Sequence, residues 1–342
     1  MLWFSRNKKK ISALLGLIGE NQKPNTRALA DVAKDVRLLE LNVKSFGYDL
    51  ALRLAQALPV RTDTIATHIG LKSKASTQND IESEWAAHWS AELKTPVVYH
   101  RKLWEFAYVL QALHEHGQLT AGTRGLGFGC GVEPIPSYLA SKGIFTTVTD
   151  LPHEEAKAKG WVESNQHLQA LESAFHAHLV SRDAFDSLVE IQETDMNRIP
   201  ATLRGYDFCW SICALEHLGS IQKGLDFIEN SLDTLRPGGL SVHTMEFNVE
   251  GDGPTTDNWM TVLFQRKHLE FISCRLREKG HWVADLDFDM GDKPMDKFID
   301  VPPWTHDMPK AMSDRIGNPY HLKLGIDGFI ATCFGIIVRK AE

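Results

Sequence analysis

Gly127, Gly129, Gly131 and Asp150 are the first residues in this chain whose types and spacing could do chemistry. Alternating glycines let a backbone approach a ligand closely and adopt positive φ. An acidic side chain after the following strand can accept from both hydroxyls of a ribose. Asp150 lies 19 residues after Gly131, close to the roughly 20-residue offset of a ribose-binding acid. Together these residues describe a nucleotide site at the carboxyl edge of a parallel sheet.

A second set lies in residues 211–218, Ser-Ile-Cys-Ala-Leu-Glu-His-Leu. Here Glu216 and His217 follow an apolar, strand-like run at 206–212. Imidazole titrates near neutrality, so His217 is the leading candidate for a general base. It also has a structural reading, as a helix-start residue packed under a cofactor. Glu216 could orient an acceptor, and Glu246, near the carboxyl end of a strand at 240–247, is a third candidate. His243 is three positions from Glu246 and therefore on the other face of that strand. It reads as a satisfied core histidine.

The elements that position these groups alternate. Strand, glycine turn, helix and strand cover 124–150, and further strands follow at 188–192, 206–212, 240–247, 281–288 and 329–339. Helical stretches separate most of them, which predicts a mostly parallel sheet covered on both faces. The last two strands are joined only by residues 289–328, which hold Pro294, Pro302, Pro303, Pro309 and Pro319. A loop that long is usually functional, and Trp304, His306, Tyr320 and His321 within it are candidates to line an acceptor pocket.

The glycine spacing also argues against one class of nucleotide. The dinucleotide fingerprint G-x-G-x-x-G fails from Gly125 and from Gly127, since its last position falls on Cys130 or Val132. G-x-G-x-G fits at 127, 129 and 131. With an acid after the second strand, an acid after the third (Asp195), Arg236-Pro237-Gly238-Gly239 before the fifth and a terminal strand pair, the chain from about 96 to 342 resembles the class I S-adenosylmethionine (SAM) methyltransferases. His100–Glu105 and Gly328–Lys340 resemble a sparsely characterised bacterial branch associated with glycan modification.

The resemblance implies a Rossmann-like α/β fold, with a seven-stranded sheet whose last strand is inserted antiparallel. It implies that Gly127, Gly129 and Gly131 face the methionine and ribose of SAM, that Asp150 holds the ribose hydroxyls, and that Asp195 and Met196 contact the adenine. Ser211 would flank the reactive methyl. The family usually carries an acid where this chain has Gly125. The implied activity is methyl transfer to a hydroxyl of a small molecule or glycan. The alternatives are transfer to a small-molecule amine and a SAM-binding regulator without turnover. No metal ligand set is read.

Composition and pattern bound the rest of the chain. The chain has 342 residues, a formal net charge of −7 and five cysteines in a scattered set. This argues against nucleic acid as an obligate partner and for reduced thiols in a cytoplasmic protein. No apolar run approaches the length of a spanning helix. The basic and apolar start, residues 1–20, reads as a partner-packed helix or an interfacial anchor. Residues 28–58 carry a helical pattern in which Val36, Leu39, Val43, Phe46 and Leu50 step by three and four. That seam suits a homodimer coil or packing on the catalytic domain. Residues 1–95 are therefore assigned to a helical extension and 96–342 to the catalytic domain.

Overall fold

The computed structural model describes residues 25–59, 61, 64–152 and 171–342. The expectation for residues 1–20 lies outside them, as does the side chain of His306.

The sheet begins with five parallel strands. These are β2 (Arg124–Phe128), β3 (Phe145–Asp150), β4 (Val189–Glu193), β5 (Tyr206–Ile212) and β6 (Leu235–Asn248). All seven residues of β5 are buried, as a strand covered on both faces requires. The last strand, β11 (Phe329–Arg339), lies antiparallel against β6. The order β4-β3-β2-β5-β6-β11 is the parallel core with an inserted antiparallel strand that the resemblance implies.

Among the described residues the sheet has eleven strands rather than seven. The additions are short, β1 (Ser73–Ala75), β9 (Ile299–Asp300) and β10 (Lys323–Ile326), and one more strand comes from β7 (Trp282–Val283) and β8 (Leu286–Asp287) standing where one was expected. The strand expected over 281–288 is thus two fragments. β6 also starts earlier than expected, because Leu235 already pairs with Tyr206 before the register shifts at the glycine pair. Gly238, at φ +73°, absorbs the turn inside the strand instead of ending a helix there.

Helices cover both faces. On one side lie α1 (Thr26–Ala57), α2 (Gln78–Ile81), α3 (Glu84–Glu92), α4 (Arg101–Glu115) and α5 (Ile135–Ser141). Trp85, Trp89, Trp104, Leu110 and Leu139 belong to the apolar cluster on this side. After the short α6 (Arg182–Leu188), α7 (Ile221–Ser231) and α8 (Arg266–Glu278) cover the other face with Leu225, Ile228, Leu269 and Ile272. Ser220 caps α7 by accepting from the Lys223 N–H at 3.2 Å, a favoured helix start. Among the described residues no helix is long and apolar enough to cross a membrane.

The boundary at 95/96 does not coincide with a break in packing. β1 pairs with β11 inside the main sheet, and Trp85 and Trp89 lie in the core. The helix expected from the heptad pattern forms, but it turns a different face to the body. Lys44, Gly47, Tyr48 and Ala51 are buried, and Lys44 makes a buried 2.7 Å ion pair with Asp300. The seam of Val36, Leu39, Val43, Phe46 and Leu50 faces solvent, with Phe46 75% exposed. Residues 289–328 are not a plain loop. They hold α9 (Pro294–Lys297) and α10 (Lys310–Ile316) besides β9 and β10, and they bury Met295, Asp300, His321 and Leu322.

Candidate functional site

Gly127 sits in β2, where its carbonyl accepts from the Thr149 hydroxyl at 2.9 Å. Gly129 and Gly131 follow at φ +60° and +51°, in the left-handed region that favours glycine. A Cβ on Gly129 would come within 2.8 Å of Ala214 Cβ and 3.4 Å of Met196 Sδ. The turn is therefore a tight cradle between the ends of three strands.

Asp150, at the end of β3, is buried at 8% exposure. Its two oxygens accept from the backbone N–H of Leu151 at 2.7 Å and of Gly131 at 3.3 Å. The acid and the glycine turn are therefore fixed to each other. Gly129, Asp150, Asp195, Met196, Cys213 and His217 line one open cleft of about 600 Å³, counted with its mouth. Burial pushes the Asp195 carboxyl up, but the Asn197 backbone N–H and the Arg198 guanidinium outweigh it and hold the group below the usual carboxylate range.

His217 enters the cleft from the short 3₁₀ turn after β5. Its Nδ1 is 2.9 Å from the Met260 carbonyl. A carbonyl only accepts, so this contact places a proton on Nδ1 and the basic lone pair on Nε2. Glu216 points the other way. It is fully buried, burial pushes its carboxyl up, and neither oxygen has a hydrogen-bond partner. Glu246 is also buried and lies outside the cleft, in an ion pair with Arg101.

Two residues end up away from the cleft for the same reason. Ser211 donates or accepts at 2.8 Å with His243 Nδ1, and both are fully buried. Successive strand residues face opposite sides of a sheet, and Ser211 takes the side under α7. The structure therefore does not bring Ser211 to the cleft. The Nε2 of His243 meets Ser241 at 2.7 Å and Ser231 at 3.1 Å, and burial pushes its pKa down to about 3. It is the satisfied core histidine expected from the sequence. Asp257 accepts from the Ile221 N–H at 2.8 Å and so helps to cap α7.

Two groups at the site have no local signature in the sequence. A Cβ on Gly125 would meet the Phe208 ring at 2.5 Å, so no acid fits where the family usually has one. Glu133, just after the glycine turn, is a buried acid nearby. Its Oε1 accepts from Trp210 Nε1 at 2.6 Å, and burial pushes its pKa up to about 8 against that donor. The other is Cys213, at φ +46°, which lines the cleft and contacts the buried Glu105 behind it.

No family model and no curated protein sequence matches the chain. Solved structures do. A SAM-dependent methyltransferase from Mesorhizobium loti is 10% identical over 67% of this chain and 96% of that one, at a TM-score of 0.40. A putative sarcosine dimethylglycine methyltransferase from Galdieria sulphuraria is 13% identical over 76% and 99%, at 0.43. The cyclase SpnF is 16% identical over 70% and 83%, at 0.44. Likenesses this distant say nothing of the reaction. By its own strand order and glycine turn, the chain has the Rossmann-like fold that class I SAM methyltransferases use.

Proposed function

We propose that this protein is a SAM-dependent methyltransferase acting on a hydroxyl of a small molecule or glycan. The observation that carries the reading is the meeting of Gly129, Asp150, Asp195, Met196 and His217 in one cleft. The residues fit the cofactor. A side chain on Gly129 would fill the cradle, and Asp150 is a buried carboxylate already oriented by two backbone donors. Asp150 would hold the ribose hydroxyls, and Asp195 with Met196 the adenine.

When bound, SAM supplies a sulfonium methyl already activated for displacement. The protein must align the acceptor, exclude water and take the hydroxyl proton. Alignment is the larger contribution, about 7–11 kcal/mol in well-oriented systems. His217 is suited to the proton transfer: the Met260 carbonyl holds the ring with its proton on Nδ1, which makes Nε2 the accepting atom. The enclosed Glu216 is not placed to exchange protons with a substrate in the cleft.

An amine acceptor would need little help from a base, so N-methylation is the second reading. A SAM-binding regulator without turnover is the third. Incubating the protein with SAM and panels of sugars, phenols and amines, with S-adenosylhomocysteine as the readout, separates all three. Product with hydroxyl acceptors supports the proposal. Product with amines alone selects the second reading, and no product with any acceptor selects the third.

A further inference from the structure

We propose that Cys213, Glu216 and Glu246 hold a single divalent transition-metal ion of the zinc class, at the carboxyl ends of β5 and β6. The Cys213 sulfur and one oxygen from each carboxylate all lie within 4.8 Å of one another. Zinc bonds of about 2.3 Å to sulfur and 2.1 Å to oxygen imply donor separations of roughly 3.5 Å. Small side-chain rotations would reach that spacing.

The buried carboxylates around this point outnumber the cations paired with them. Three carboxylates are buried together: Glu105, Glu216 and Glu246. Lys102 pairs with Glu105 at 3.0 Å, and Arg101 pairs with Glu246. No hydrogen bond reaches either oxygen of Glu216 or the second oxygen of Glu246. A buried carboxylate is costly unless it is paired, hydrogen-bonded or protonated, and Glu216 is enclosed completely. A metal ion would satisfy Glu216 and the second Glu246 oxygen at once.

The donor set selects the class of ion. Thiolate sulfur favours zinc-like metals, whereas magnesium and calcium take oxygen. A further sulfur is at hand, since Cys333 Sγ is 3.8 Å from Cys213 Sγ. Cys213 now points its sulfur at the Glu105 carboxylate. On metal binding the thiol proton leaves to solvent and the sulfur turns to the ion. This inference does not rest on the methyltransferase reading, because it uses no residue's role toward SAM.

The test uses the full chain, treated with a chelator, dialysed and titrated with Co²⁺. The expected result is one equivalent of bound cobalt with a near-ultraviolet thiolate-to-cobalt charge-transfer band. Cys213→Ser should abolish the band, and Glu216→Gln should weaken cobalt binding by at least about tenfold. Cys274→Ser should change neither, because Cys274 is exposed on α8. Circular dichroism establishes that each variant is folded. If Cys213→Ser does not fold, Glu216→Gln and Glu246→Gln decide, and unchanged cobalt affinity in both overturns the proposal. Absence of bound cobalt in the wild type, or a band that survives in Cys213→Ser, also overturns it. Buried water would then be the partner of Glu216.

Discussion

The imidazole of His217 is anchored by the backbone carbonyl of Met260, 2.9 Å from Nδ1 and 43 residues along the chain. The segment leading to Met260 therefore sets the tautomer of a ring that opens onto the cleft. If His217 is the general base, His217→Ala should lower turnover at saturating substrates by about 10²–10⁴-fold. SAM affinity should barely move, because a base does nothing for the cofactor complex. Parallel turnover and calorimetry on one sample check this. A loss under about fivefold would be too small for a general base.

Gly129 is a point where fold and site meet. Alanine there would be forced to φ +60° with its Cβ 2.8 Å from Ala214. Backbone strain alone costs about 1–2 kcal/mol, and the new methyl also narrows the cleft. Gly129→Ala should lower stability in urea and weaken SAM binding together. Unchanged values for both would contradict the cradle.

The buried pair of Lys44 and Asp300 ties α1 to residues 289–328. Asp300 also accepts from Tyr48 and meets His321 Nδ1, each at 2.7 Å. Lys44→Ala leaves this carboxylate without its lysine inside the protein. Removing one partner of a buried pair typically costs about 3–5 kcal/mol, and the retained contacts place this case at the lower end. Denaturant unfolding measures it. A cost below about 1 kcal/mol would mean that the helix docks loosely, as exposed pairs do.

His243 predicts a pH dependence with a definite sign. Burial pushes its folded pKa down to about 3, below the value near 6.5 expected when unfolded. The unfolded chain therefore binds the extra proton first. The contribution is complete above about pH 6.5 and is lost as pH falls toward 3, by roughly 1.4 kcal/mol per unit within that window. His243→Gln should flatten the slope of stability against pH between 6 and 4. An unchanged slope would contradict the burial argument.

The parts of the fold legible in the sequence were those written as local spacing. The glycine turn, Asp150 and the alternation of strands and helices follow from residues close together in the chain. Ser211 shows the limit of a motif, which gives a position on a strand but not the face that the side chain takes. β1 was missed because Ser73–Ala75 has no apolar run and gains its place only by pairing with β11. Cys213 met Glu105 and Cys333 across 108 and 120 residues, and no local pattern records such contacts. The heptad seam on α1 was visible as spacing, but Lys44 and Tyr48, not the seam, supply its contact with the body.

The central claim is a SAM site organised by Asp150, and calorimetric titration of SAM into wild type and Asp150→Ala tests it most directly. Micromolar affinity, on the order of −8 kcal/mol, is expected for the wild type. Loss of hydrogen bonds to a charged acceptor, worth about 1.5–3 kcal/mol each, should weaken the variant by at least tenfold. Equal SAM affinity in the two proteins, or NADH binding more tightly than SAM to the wild type, would contradict the account.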